Sequence, residues 1–269
     1  MMYRATLSGM GRSLIFGAGW FVVGFLILPM LFVIPVSLTD QPYLSLPKDH
    51  LSAQYYVSFF TKPEWITATL QSLYVACAST LGAVVLGTLC TIACWKITSR
   101  ASNLVRLLVL MPLMVPTVIE GLAMYRLWVT LGLFDSFAGL ILAHTITGMP
   151  YVLVTVSASL ARFDIRLEQA ARSLGASVPR TILEVIIPQI LPGILSGALF
   201  AFVHSFDELV IVLFITSRRI ITLPKQIWSG IQDNLDPTIA AVSVILIVVT
   251  TTTIIIVRKV ARGQEAARE

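Results

Sequence analysis

Six long apolar runs, separated by short charged or proline-containing stretches, dictate most of what this chain can become. They are expected at 13–38, 66–95, 103–129, 137–160, 188–216 and 238–257. Each is long enough to cross a hydrocarbon layer of about 30 Å at about 1.5 Å of rise per helical residue. Backbone groups in lipid must be satisfied within their own segment, so the expected fold class is all-α, a polytopic membrane protein of about six transmembrane helices. Only 12% of the 269 residues are charged and 57% are hydrophobic, about half the charged fraction of an ordinary soluble domain. No second domain or internal repeat is visible, and residues 1–269 read as a single transmembrane domain.

The first run is too long for a signal-peptide core and no small-residue cleavage site follows it, so it is expected to be retained as a membrane helix. Thr39 to Trp65 is a polar interval with Pro42, Pro47 and Pro63, and Ser217 to Pro237 is a second one; both are expected outside. A six-span chain with both ends inside places thirteen of the nineteen Lys and Arg on the cytoplasmic side, the bias that membrane proteins show. Arg218, Arg219 and Lys225 oppose it locally. The net charge of +5 therefore follows from membrane orientation, and no nucleic-acid partner is implied.

Within the runs, Pro112 and Pro116 are expected to bend the third span and Pro150 lies in the fourth. Gly193, Gly197 and Ala201 repeat every fourth residue of the fifth span, a seam against which another helix can pack closely. Cys77, Cys90 and Cys94 share one apolar run without a CxxC pattern and read as small buried hydrophobes. The three histidines have no metal-ligand spacing, so no metal site is expected, and no GxxxxGK[ST] loop is present. Any ATP that drives this chain is expected on a partner.

The break after the fourth run differs in kind. RFDIRLEQAARSLGASVPRTILEVIIPQILP, from Arg162 to Pro192, carries four arginines between two strongly apolar segments. Glu168 to Leu174 contains helix formers and no breaker, Gly175 suits a left-handed helix end, and Pro179 fits the first turn of a second short helix. The spacing predicts helix, turn, helix. Ala170 and Ala171 keep part of the first helix free of bulk and Leu174 offers an apolar anchor, a pattern suited to docking into another protein's groove. An amphipathic connector lying on the membrane surface would share this composition.

Gln169-Ala170-Ala171, three residues, Gly175, nine residues, then Val185-x-Ile187-Pro188 resembles the E-A-A-x3-G-x9-I-x-L-P signature of ATP-binding-cassette importer permeases. One departure is that Gln169 stands where the signature has Glu, with Glu168 one place earlier. SLTDQPYLSLPKDHLSAQYYVSFFTKPEWITATLQSLYVACAST, HSFDELVIVLF and the TLP around Leu223 and Pro224 look like the corresponding parts of permeases for polyamines and related organic solutes. The resemblance covers nearly the whole chain. It implies a multi-pass protein of the bacterial cytoplasmic (inner) membrane with both termini cytoplasmic. It also implies a homologous second permease, two ABC ATPase subunits and a periplasmic solute-binding protein as partners.

On the same resemblance, residues 162–187 form a cytoplasmic coupling loop within the domain, with Glu168, Gln169, Ala170, Ala171, Leu174 and Gly175 as the ATPase-coupling residues. ATP and Mg belong to the ATPase, no cofactor is bound by this chain, and the chain is not an enzyme. Transport by alternating access of a polyamine such as spermidine or putrescine is the expected function, with an opine, phosphonate or iron cargo as the alternative. An ion-coupled secondary transporter is the rival class, and the docking loop counts against it.

Ionisable groups inside a membrane are costly and are functional candidates by default. Glu120 in the third span and Asp207 and Glu208 in the fifth fall at similar height in the outer half, and His204 shares a helix face with the latter two. One reading is an acidic lining for a cationic solute, with Tyr125, Trp128 and Phe206 as cation-π walls. The other is structural: pairing with Arg126, with the partner permease or with backbone groups, or placement in the wet interface.

Overall fold

A computed structural model describes residues 9–233 and 235–266, with side chains over 15–232, 235–253 and at 255. Arg4 and Arg268, and the side chains of Arg12, Asp233, Arg258, Lys259 and Arg262, lie outside the described residues. The helices in chain order are α1 (Gly9–Ser37), α2 (Gln54–Thr61), α3 (Pro63–Lys96), α4 (Arg100–Leu110), α5 (Thr117–Leu131), α6 (Phe137–Leu160), α7 (Ile165–Ser173), α8 (Val178–Thr181), α9 (Ile187–Asp207), α10 (Val210–Ile215), α11 (Leu223–Asp233) and α12 (Thr238–Ala266). Among the described residues there is no strand, so the chain is all-α. Among the described residues four helical stretches are long and apolar enough to span a membrane, Ile15–Ser37, Pro63–Lys96, Phe137–Leu160 and Val178–Asp207, and a fifth if the bent pair Arg100–Leu113 and Thr117–Leu131 is one span.

Two of the expected spans are broken. The third is not one bent helix: α4 with its 3-10 turn at Met111–Leu113 meets α5 at 106°. Pro112 and Pro116 each remove a backbone donor, and the residue before Pro116 is disfavoured in helical conformation, so the chain leaves the helix at 114–116. The fifth span does not run on to Thr216. It ends at Asp207, Glu208 turns extended (φ −71°, ψ 116°), and α10 begins at Val210. This corrects the placement of His204, Asp207 and Glu208 on one continuous face. No proline or glycine marks the second break; the Glu208 carboxylate takes the Ile211 N–H at 3.0 Å and so starts a new helix.

At its other end the fifth span begins earlier than expected. α8, a π turn at Ile182–Ile186 and α9 run on without interruption, the wider turn accommodating Pro188, which has no N–H to donate. The sixth span appears as α12, whose apolar part is Thr238–Thr253. The two polar intervals expected outside hold short helices that were not anticipated, α2 and α11.

The chain divides into two compact units, residues 64–226 and residues 1–63 with 227–269. In the first, α6 and α9 pack closely because the glycine seam permits it. A Cβ at Gly193 would stand 2.2 Å from the Ser159 hydroxyl, and one at Gly197 would stand 2.6 Å from that of Thr155. Ala83, Val152, Val156, Ile186, Ile190 and Ala201 form the core on this side. A second core joins Val75, Trp128, Leu140, Ile211, Val212 and Ile215. In the other unit, α12 packs on α1 and α2, and the α1 side chains from Ile15 to Leu31 are exposed on every face. Asp40 organises the loop after α1, accepting from the N–H groups of Lys48 at 2.8 Å and Asp49 at 3.2 Å. These donors, Lys48 first, hold the Asp40 carboxyl down at about 2.

Of the three cysteines, Cys94 is buried and Cys90 half-buried, but Cys77 is exposed on α3. An apolar side chain on a lipid- or partner-facing surface has no reason to turn inward.

Candidate functional site

The segment after α6 is built as its spacing requires. Asp164 caps α7 by accepting the Arg166 N–H at 2.9 Å. At the far end Gly175 adopts φ +87°, and the N–H groups of Leu174, Gly175 and Ala176 turn back to the carbonyls of Ala170, Arg172 and Ala171. That left-handed end is where glycine is favoured over any other residue. Pro179 lies in the first turn of α8. The turn leaves Leu174 89% exposed, with Gln169 and Ala170 exposed on the helix before it and Ala171 half-buried. An apolar side chain held out on a polar segment is the anchor that a docking partner needs.

Glu168 behaves differently from its neighbour Gln169. Its carboxylate pairs with Nζ of Lys96, the last residue of α3, and both side chains are largely covered, 15% and 24% exposed. Lys96 also lies 5.8 Å from the Trp95 ring centre, and Trp95 meets Phe163 edge to face at 5.7 Å. Trp95, Lys96, Glu168, Gln169 and Arg172 line a groove of about 690 Å³ beside α7.

Two acids inside the apolar region stand at the two helix breaks. Glu120 stands in the first turn of α5, just after Pro116, and Glu208 immediately precedes α10. α5 and α10 pack against each other, Gly121 lying so close to Phe214 that a Cβ there would be 2.7 Å from the ring. Each carboxylate thus sits at a helix N-terminus, where the unsatisfied N–H groups and the helix dipole favour negative charge. Glu208, 9% exposed, lies within electrostatic reach of Glu120, Tyr151 and His204. His204 bonds the Thr147 hydroxyl at 3.0 Å, and its ring centre lies 5.0 Å from that of Tyr151.

Asp207 is exposed and, like Glu208, lies within electrostatic reach of His204. Tyr125 packs edge to face on Phe134 at 5.5 Å, and Phe206 stacks on Phe202 at 5.9 Å. Trp128 is no wall of a path: it is 5% exposed and its indole N–H donates to the Gly139 carbonyl at 2.7 Å. Among the described residues no ion pair joins Arg126 to any of the three acids. Tyr151 was not anticipated; its place directly after Pro150, with Val152, Leu153 and Val154 following, gives no polar periodicity that singles it out.

Lys225, one of the cations that opposed the expected orientation, has a structural use. Its Nζ donates to the Thr216 hydroxyl at 2.9 Å and to the Ser217 carbonyl at 2.7 Å. Asp135 holds the same loop from the other side, accepting from the N–H groups of Ser217, Arg218 and Arg219. Burial pushes the Asp135 carboxyl up, but these three donors, with Lys225, outweigh it and leave the group below its ordinary value. Among the described residues no three His, Cys, Asp or Glu side chains are grouped as a metal site would need.

An all-helical chain with several membrane-spanning segments, broken helices carrying acids and a capped helix-turn-helix between two spans has the build of a transport subunit. Residues 83–265 match the family described as the inner membrane component of binding-protein-dependent transport systems, and the chain belongs to that family. It is therefore a permease subunit of an ABC importer, a multi-pass inner-membrane protein and not an enzyme, and its family works with a partner permease, an ATPase and a periplasmic binding protein. It is 28% identical over 237 residues to a spermidine/putrescine transport system permease protein of Haemophilus influenzae, covering 88% of this chain and 92% of that one. A putrescine transport system permease protein of Escherichia coli is 29% identical over 228 residues, covering 82% and 81%. A trehalose transport system permease protein of Mycobacterium tuberculosis is 26% identical over 232 residues, covering 83% and 85%. Among solved structures, a bacterial ABC transporter involved in the import of the acidic polysaccharide alginate shares the fold. Its TM-score is 0.70 at 13% identity, over 94% of this chain and 98% of that one.

Proposed function

We propose that this permease subunit carries a polyamine such as putrescine or spermidine across the cytoplasmic membrane by alternating access. The observation that carries this reading is the placement of Glu120 and Glu208 at two helix breaks whose helices, α5 and α10, pack together, with Tyr151 within electrostatic reach of both acids. Two carboxylates in an apolar environment lower the energy of a passing ammonium group, and interruptions in the helices give the path a place to open. The similarity to polyamine permeases of two organisms supports the cargo class. Similarity to a trehalose permease at 26% identity shows that sequence likeness at this level spans different solutes, so the charge of the site carries the argument.

In this reading residues 162–187 lie in the cytoplasm and dock on an ATPase through Ala170, Ala171, Leu174 and Gly175. Two ATPases hold the ATP and Mg, a homologous permease completes the path, and both termini are cytoplasmic. ATP binding draws the coupling loops together and opens the bundle outward to the binding protein; hydrolysis resets it. The test is calorimetric titration of the cognate solute-binding protein with putrescine, spermidine, a phosphonate and a disaccharide. Binding of a polyamine with exclusion of the other two supports the cargo, and binding of the phosphonate or disaccharide alone overturns it while leaving the importer family untouched.

A further inference from the structure

The ion pair between Lys96 and Glu168 joins two elements that the chain itself does not connect. The segment 162–187 is tied covalently to α6 at one end and to α9 at the other. Glu168, in the middle of α7, reaches a third helix through the last residue of α3. Exposed lysine–carboxylate pairs contribute little because water screens them and long side chains lose freedom. This one is largely covered, and Trp95 flanks the ammonium while Phe163, at the entry to the segment, flanks Trp95. Four side chains thus form one bracket, two from α3 and two from the segment.

The bracket also accounts for the position of the acid. Glu168 and Gln169 both border the groove beside α3, but successive residues on a helix point about 100° apart, and Glu168 is half-buried against Lys96 while Gln169 is exposed. A carboxylate at 169 would be left exposed; at 168 it meets the chain's own lysine. We propose that Lys96 and Glu168 are positioning residues that make α3 move with the coupling helix, so that force entering at α7 reaches three helices instead of two. This rests on the reading of 162–187 as the coupling loop.

The experiment uses the assembled transporter, with both permeases, the ATPases and the binding protein, in proteoliposomes. Solute moved per ATP hydrolysed is compared for wild type, Lys96→Met, Lys96→Arg, Glu168→Gln and the exchange Lys96→Glu with Glu168→Lys. The expected result is a ratio lowered by about tenfold in Lys96→Met and Glu168→Gln, the size of a coupling between two contacting residues, with most of it regained in Lys96→Arg and in the exchange. An unchanged ratio in the two neutral variants overturns the proposal, as does a low ratio that the exchange fails to restore. Co-purification of the ATPase with Leu174→Glu separates the underlying reading: loss of the ATPase there, together with normal ratios in the Lys96 and Glu168 variants, rejects the bracket alone, whereas retention rejects the coupling loop itself.

Discussion

Nδ1 of His144 on α6 lies 2.7 Å from the hydroxyl of Ser205 on α9, and that same hydroxyl accepts a bond from Ser79 on α3 at 2.9 Å. Three helices are joined at one buried oxygen, three residues before the chain breaks at Glu208. Ser205→Ala removes both bonds and strands a fully buried imidazole nitrogen. Hydrogen bonds between membrane helices contribute about 0.6 kcal/mol on average and up to about 1.7 kcal/mol, so a loss of about 1 to 2 kcal/mol is expected. Thermal unfolding of the purified complex in detergent checks it, and Ser205→Thr, which keeps the hydroxyl, should lose less than Ser205→Ala.

Gly193 and Gly197 should tolerate nothing larger. The contacts of 2.2 and 2.6 Å that a Cβ would make fall on Ser159 and Thr155 of the facing helix, so Gly193→Val and Gly197→Val force α6 and α9 apart. Overpacking of this kind costs about 1 to 3 kcal/mol per site. The expected readout is reduced folded yield, with partial recovery when Gly193→Ala is combined with Ser159→Gly.

Two loops should loosen in acid. Asp40 titrates at about 2 in the folded chain against an ordinary 3.8, and Asp135 is also lowered. A carboxylate with a depressed folded value stabilises fully above its unfolded value and loses that contribution as pH falls through the folded one. Amide exchange at Lys48 and Asp49 should therefore stay protected down to about pH 4 and open progressively toward about pH 2. Asp135→Ala should expose the amides of Ser217, Arg218 and Arg219 at any pH. Exchange at Lys48 that ignored pH across that window would contradict the role given to Asp40.

The backbone role of Gly175 and the docking role proposed for it are separated by one pair of variants. Its φ of +87° strains any L-residue, yet no atom lies within 4 Å of the space a Cβ would take. Gly175→Asn, which tolerates that conformation, should keep most of the uptake, while Gly175→Trp should insert into the membrane normally and fail to co-purify with the ATPase. Impermeant thiol labelling of single cysteines on a cysteine-free background, at 46 and at 177, completes the test. Position 46 should react in intact spheroplasts and position 177 only after permeabilisation.

Most of the architecture was legible because two strong signals dominate the sequence: apolar length and the turn chemistry around Gly175 and Pro179. The break at Pro116 was half legible, since proline announces a bend but not whether the chain recovers its axis. The break at Glu208 was not, because FDELVIV holds no helix breaker; a carboxylate capping Ile211 depends on the packing of α10 against α5, which no local pattern encodes. The same packing explains why Trp128, an aromatic on the same helix as Glu120, turns into the core, where its N–H finds the Gly139 carbonyl. Glu168 looked like the displaced acid of a docking surface, and only the fold shows that the end of α3 brings Lys96 to it. Helix α11 was hidden by polar composition, although Pro224 lies in its first turn, and α2, only eight residues long, was hidden by the prolines on either side of it.

The structural role of Glu208 and the path role proposed for it are distinguished by a single substitution. Glu208→Gln keeps an oxygen to accept the Ile211 N–H and removes only the charge, so α10 should remain capped and the complex should assemble. The decisive measurement is ATP-driven uptake of labelled putrescine or spermidine by proteoliposomes holding wild type, Glu208→Gln or Glu120→Gln with all partners present. Uptake should fall by about tenfold or more in each variant, the loss expected when a favourable charge interaction of about 1.4 kcal/mol or more is removed from the path. Undiminished polyamine uptake in both variants would contradict an acidic path for a cation, leaving Glu208 as the carboxylate that accepts the Ile211 N–H and Glu120 as an acid in the first turn of α5.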